Sequence, residues 1–159
     1  MAALRAKARR IVVSAIVLLI ALFIVAQLIP VDKTNPPVVD EPAWDAPRTR
    51  ELAQAACFDC HSNETVWPWY SKIAPASWLL VRDVSEGRGE LNFSEWSASE
   101  QESDELVEAI RSGEMPPWYY ALMHPEARLS DVEKDELIAG LRATVGDARA
   151  GENREDSDD

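Results

Sequence analysis

The chain has 159 residues, with 28 Asp and Glu against 16 Lys and Arg, and a formal charge of −12. Four of the basic residues lie in the first ten positions, so everything after Ile29 sets all 28 acidic residues against 12 basic ones, a charge near −16. That balance excludes nucleic acid and anionic lipid as partners of the bulk of the chain, and the size allows one small domain with a thin core of its own.

Residues 1–10 form a basic flank with Arg5, Lys7, Arg9 and Arg10, followed by 19 uncharged residues from Ile11 to Ile29. At about 1.5 Å per residue such a run spans a hydrocarbon core of about 30 Å. The basic flank predicts that the N-terminus stays in the cytoplasm and that the rest is exported. A cleaved signal peptide would have a shorter apolar region and a small-x-small site. Ala26-Gln27-Leu28-Ile29-Pro30 fits that poorly, so residues 11–29 read as an uncleaved single-pass anchor. Residues 30–47 carry five prolines and no helical period. They read as an extended tether that reaches roughly 50 Å at about 3.1 Å per residue.

Residues 48–146 form the head. A helix is expected from Arg48 to Cys60, running into Cys57-Phe58-Asp59-Cys60-His61. This C-x-x-C-H run is the attachment pattern for a c-type haem. Two thiols two residues apart add to the two vinyl groups along one haem edge, and the imidazole that follows becomes the proximal iron ligand. A redox dithiol would want a βαβ context, which is not visible. A zinc site would need Cys57, Cys60, His61 and His124 together, with the adjacent Cys60 and His61 both ligating, an awkward geometry. Both cysteines fall inside the motif, which leaves no structural disulfide.

The six tryptophans lie at 44, 67, 69, 78, 96 and 118. Trp67, Trp69 and Tyr70, directly after the motif, are expected to pack on the haem, with ordinary core filling as the plainer alternative. Pro75 to Glu86 reads as a second helix, with Trp78, Leu79 and Val81 inward and Gly87 as its stop. Ser99-Glu100-Gln101-Glu102 is a capping box opening a third, through Leu106, Val107 and Ile110 to Gly113. Ser130-Asp131-Val132-Glu133 opens a fourth, with Val132, Leu137, Ile138, Leu141 and Val145 as its apolar face and Gly146 as its end. No run alternates as a strand, so the fold class is all-α, a small cytochrome c-like helical domain around a haem. Residues 147–159 are acidic and aperiodic and read as a disordered tail.

The sixth iron ligand decides the chemistry. Met115, in Gly113-Glu114-Met115-Pro116-Pro117, suits a distal ligand because the prolines stiffen the loop that carries a weak thioether. His124, before Pro125, is the alternative, and Met123 or an open site are further ones. An open site with His124 or Arg111 as acid–base group would suit a peroxidase-type enzyme. A labile Met115 bond would suit a gas or redox sensor. A stable Met115 bond suits single-electron transfer, with the acidic head steering a redox partner that carries a basic docking surface. Oligomeric state is left open.

Cys57 to Thr65, Pro68-Trp69-Tyr70-Ser71, Ile73-Ala74-Pro75, Ser77-Trp78, Glu86-Gly87-Arg88, Leu91 to Trp96, the Gly113–Pro117 loop and His124-Pro125 together resemble the bacterial haem-binding domain family of cytochrome c-like proteins. The likeness covers about Leu52 to Leu141. It implies one covalent haem c per chain through Cys57, Cys60 and His61, with Met115 in the distal-loop position; the basic flank and apolar run put that head on the periplasmic side of the inner membrane. It implies no particular reaction.

Overall fold

The computed structural model describes residues 2–96 and 103–155 and is helical throughout. The elements are α1 (Ala2–Ala26), α2 (Pro47–Ala56), α3 (Phe58–His61), a 3-10 turn (Trp69–Lys72), α4 (Ala76–Glu90), α5 (Ser103–Ser112), α6 (Trp118–Met123), a second 3-10 turn (Pro125–Ala127) and α7 (Asp131–Glu155). Among the described residues there is no strand, and one isolated parallel bridge joins Asp40 to Glu95. The chain divides into two compact units, one of residues 1–33 with 67–82 and the other of 34–66 with 83–159.

In the first unit, α1 is long and apolar enough to cross a membrane, and none of its apolar stretch is buried in protein. The helix ends at Ala26, and Gln27 to Ile29 continue as turns rather than helix.

The second unit is built on α2, α5 and α7. Pro47 opens α2, where its missing N–H costs nothing because the first helical amides have no intrahelical partner. Leu52 and Ala53 of α2, Val107 and Ile110 of α5, and Leu137, Ile138 and Leu141 of α7 make the core, together with Phe58, Leu91 and Phe93. The buried positions on α7 recur at helical spacing, which makes one apolar stripe. An aromatic stack runs through this core. Phe93 lies 5.4 Å from Phe58, 5.3 Å from Trp44 and 6.0 Å from Trp96, centroid to centroid.

The capping box at Ser130 forms as the sequence predicts. The Ser130 Oγ accepts the Glu133 amide at 3.3 Å, and Glu133 Oε2 accepts the Ser130 amide at 2.9 Å. The box at Ser99–Glu102 lies outside the described residues.

Several sequence expectations are corrected. Helix α7 does not stop at Gly146 but continues to Glu155. One glycine inside a helix costs about 1 kcal/mol relative to alanine, which alone does not end it, and the Ala and Arg residues that follow favour helix. Val132 and Leu79 were expected inward but are exposed, and Trp78 stands at the exposed limit. The proline-rich segment is not a free spacer. From Thr34 onward it is bonded to the second unit: Val39 N–H to Ser94 O at 2.9 Å, Trp96 N–H to Asp40 O at 3.3 Å, and Asn63 Nδ2 to Pro37 O at 3.1 Å. Prolines remove donors but keep their carbonyls, and those carbonyls are used.

Glu41, in this segment, receives Arg50 of α2 at 2.7 Å on each carboxylate oxygen, and Arg50 lies 5.2 Å over the Phe58 ring. The Arg50 hydrogen bond holds the Glu41 carboxyl below its usual range. A depressed carboxylate contributes stability above its unfolded pKa and loses it as pH falls through the folded value. The contribution of this pair should therefore fade as pH falls through the ordinary carboxylate range and be gone below the folded value. In Glu41→Gln, urea melts taken from pH 5 downward should fall less steeply than in the parent.

Gly140 of α7 faces Thr49 of α2 so closely that an added Cβ would overlap the Thr49 hydroxyl and methyl. Gly140→Ala should therefore destabilise by about 1–3 kcal/mol through overpacking, despite alanine's better helix propensity. Thermal melts of the parent and variant check this.

Candidate functional site

Helix α2 does not run unbroken into the motif. Cys57 (φ −126°, ψ −36°) ends α2 and caps the single turn α3. Its carbonyl accepts both the Cys60 amide at 3.1 Å and the His61 amide at 2.9 Å. Within this turn Phe58 is buried in the core, while Cys57, Cys60 and His61 are less buried. Cys60 and His61 stand three and four positions after Cys57, so one turn brings all three near one another in the chain. Cys57 and Cys60 are free thiols. Burial pushes both up to about 12, and for Cys60 the carboxylates of Asp83 and Asp59 add to this. Such thiols are protonated at neutral pH, the opposite of the activated thiolate a dithiol oxidoreductase uses.

His61 is held at two points by one segment. Its Nδ1 lies 3.2 Å from Leu91 O, and its carbonyl accepts the Phe93 amide at 2.8 Å. A carbonyl only accepts, so Nδ1 carries the proton and Nε2 presents its lone pair. Burial lowers the imidazole pKa, opposed by the Leu91 and Gly87 carbonyls. The ring is thus held in one tautomer, the kind of arrangement that suits a metal-binding histidine.

The segment that holds His61 is laced to the residues after the motif. Ser94 Oγ accepts the Asn63 amide at 2.9 Å, Asn92 Nδ2 donates to Asn63 Oδ1 at 3.1 Å, and Asn92 Oδ1 accepts the Ser94 amide at 2.9 Å. Arg88 of α4 donates to Ser62 O at 2.8 Å, Thr65 Oγ1 at 2.9 Å and Thr34 O at 3.0 Å. Asp59 is equally occupied. Its Oδ1 accepts the Val66 amide at 2.8 Å, and its backbone carbonyl accepts Thr65 Oγ1 at 2.8 Å.

Gly87, expected to stop its helix, lies inside α4. An added Cβ there would sit 2.6 Å from the Cys60 carbonyl oxygen. The glycine allows α4 to press against the motif backbone, a close approach rather than a terminus. The sequence pointed to Gly87 only as a helix stop, and to no structural role for Arg88, Asn63, Asn92, Ser94 or Asp59.

Met115 follows Gly113, whose φ of +76° suits a glycine ending α5. The Met115 amide donates to Ala109 O at 2.9 Å, and its side chain is partly exposed. Five residues on, Tyr120 of α6 donates its hydroxyl to Asp59 Oδ2 at 2.7 Å, which fastens α6 to the motif turn. The His124 ring stacks on Tyr120 at 4.0 Å, and its Nδ1 lies 3.1 Å from Tyr120 O. Trp67, Trp69 and Tyr70 belong to the first unit, where Trp69 is 69% exposed and meets Tyr70 edge-on at 5.7 Å. Among the described residues no group of three or more His, Cys, Asp or Glu side chains is placed to hold a metal ion, so the Cys2His2 zinc set is not assembled.

Two thiols and a tautomer-fixed imidazole on one turn suit a haem held by thioethers and one axial nitrogen. Residues 21–143 match the family described as the haem-binding domain, and the chain belongs to that family. No curated protein and no solved structure matches it.

The Gly87 contact is open to a paired test. Gly87→Ala forces the Cys60 backbone to move, whereas a Cβ at Gly89 meets nothing within 4 Å. Gly87→Ala should lower the yield of haem-loaded protein severalfold and depress its melting temperature. Gly89→Ala should load normally and melt at or slightly above the parent.

Proposed function

We propose that this protein is a membrane-anchored, monohaem c-type cytochrome that carries single electrons on the extracytoplasmic side of the bacterial inner membrane. The observation that carries the reading is the His61 arrangement: Nδ1 committed to Leu91 O, Nε2 presenting its lone pair, and Cys57 and Cys60 on the same turn. In this reading Cys57 and Cys60 would hold the haem covalently through sulfur, a thiol addition with no net oxidation, and His61 would supply a nitrogen ligand. The bound haem supplies a reversible one-electron Fe(III)/Fe(II) couple.

The chain's own residues do the rest. Leu91 O orients the His61 ring and raises its basicity as a ligand. The Asn63–Asn92–Ser94 lacing keeps Leu91 in place, so little reorganisation accompanies a change of charge at the site. Met115 is the distal ligand of this reading, with His124 as the alternative. Met115 is preferred because Pro116 and Pro117 stiffen the loop that carries it, whereas the His124 ring is stacked on Tyr120 at 4.0 Å. Helix α1 serves as the anchor, with the basic flank of residues 1–10 in the cytoplasm. The acidic head, near −16 beyond Ile29, favours a redox partner with a basic surface by steering encounter rather than by adding affinity.

Visible spectra of the full chain, oxidised and reduced, test the ligand assignment. The parent should be low-spin with the weak near-red band of an iron–thioether bond. Met115→Ala should keep its haem, lose that band and bind carbon monoxide. A Met115→Ala spectrum identical to the parent would refute Met115 as ligand, and His124→Ala would then be expected to change it.

A further inference from the structure

Helix α1 and the segment from Trp67 to Arg82 form one unit, and polar contacts join them at the C-terminal end of α1. Gln27 clasps one peptide from both sides: Oε1 accepts the Ala74 amide at 2.9 Å, and Nε2 donates to Ala74 O at 3.3 Å and to Phe23 O at 2.9 Å. Lys33 Nζ donates to Ser71 O at 2.9 Å. Within the same unit Trp69 and Ile73 are exposed, as are Trp78 and Leu79 on the first turn of α4. Leu28 and Ile29, at the end of the apolar run, are exposed beside the clasp.

The depth of the clasp follows from helix geometry. From Ile11 to Ala26 the uncharged helix rises about 24 Å at about 1.5 Å per residue. A hydrocarbon core is about 30 Å thick. Gln27 therefore stands within about 6 Å of the outer edge of the hydrocarbon, and the segment it holds lies at that boundary. Tryptophans with lysines nearby are the side chains that settle there, the rings at the boundary and the ammonium groups in the aqueous layer. Trp69 and Trp78 with Lys33 and Lys72 have that composition. A free amide side chain at this depth would be costly, and the two hydrogen bonds to Ala74 satisfy it.

We propose that the Trp69–Leu79 segment is a membrane-interface docking surface, clasped to the end of α1 by Gln27 and Lys33, and that Trp69, Ile73, Trp78 and Leu79 lie against phospholipid in the outer leaflet. This rests on the reading of α1 as a membrane anchor. It gives the two tryptophans a partner other than the haem.

The test uses the full haem-loaded chain in vesicles of phosphatidylcholine. Photoreactive benzoylphenylalanine replaces either Trp69 or, as the anchor's reporter, Ile20, and lipid adducts are counted by mass spectrometry. Both positions should give lipid adducts, with yields within severalfold of each other. Gln27→Ala should lower the yield at position 69 severalfold and leave position 20 unchanged. Adducts at position 20 with none at position 69 would overturn the docking surface while leaving the anchor standing. A yield at position 69 that ignores Gln27→Ala would overturn the clasp as its cause. No adduct at either position would remove the anchor, and the surface with it.

Discussion

The hydrogen bond from His61 Nδ1 to Leu91 O is the contact on which the rest of the site depends. A histidine next to a cysteine has two ring nitrogens and free rotation about χ1 and χ2. One carbonyl acceptor removes both freedoms: it fixes the tautomer and aims Nε2. The carbonyl must itself be fixed, and much of the second unit does this. Phe93 bonds the His61 backbone two residues after Leu91 bonds its ring, and Phe93 is also the centre of the aromatic stack. Asn92 and Ser94, between and beside them, are buried and bonded to Asn63. Thus hydrophobic burial of Phe93 and satisfaction of buried amides act on the same segment, Leu91 to Ser94, and the orientation of the imidazole follows from both.

The second constraint is how closely two helices approach. Gly87 brings α4 against the Cys60 backbone, and Arg88, the next residue, reaches from there to Ser62, Thr65 and Thr34. A guanidinium with five donors suits three acceptors on separate segments better than an ammonium would. The same arginine therefore ties the start of the proline-rich segment to the residues that follow the motif. Tyr120 makes a further tie, from α6 to Asp59 inside the motif. The motif turn is thereby bounded by contacts to α4, α6 and the 91–94 segment.

What the sequence disclosed followed from local rules, and what it hid followed from distance. The C-x-x-C-H spacing, the all-helical class, the apolar N-terminal helix and the Ser130 capping box each depend on residues within one or two turns, so they were legible. Gly87 and Gly146 were both read as helix stops, because a glycine's neighbours along the chain cannot reveal whether it ends a helix or admits another backbone. Cys60 lies 27 positions before Gly87, and only the fold brings them together. The tether was misread for a related reason: proline content announces extended backbone, but not whether its carbonyls find donors on Asn63 and Arg88. The tryptophans divide the same way. Trp44 and Trp96 join the core, whereas Trp69 and Trp118 are exposed, and composition alone assigns all four to the interior.

The central claim is that Cys57 and Cys60 hold one haem through carbon–sulfur bonds with His61 beside them. Its most direct measurement is the intact mass of the full chain, matured with haem-attachment machinery and then denatured and extracted with acidified organic solvent. The account requires a mass increased by one haem that survives extraction, and its loss when both cysteines are replaced by serine. A parent chain that leaves the extraction at its bare polypeptide mass would contradict it.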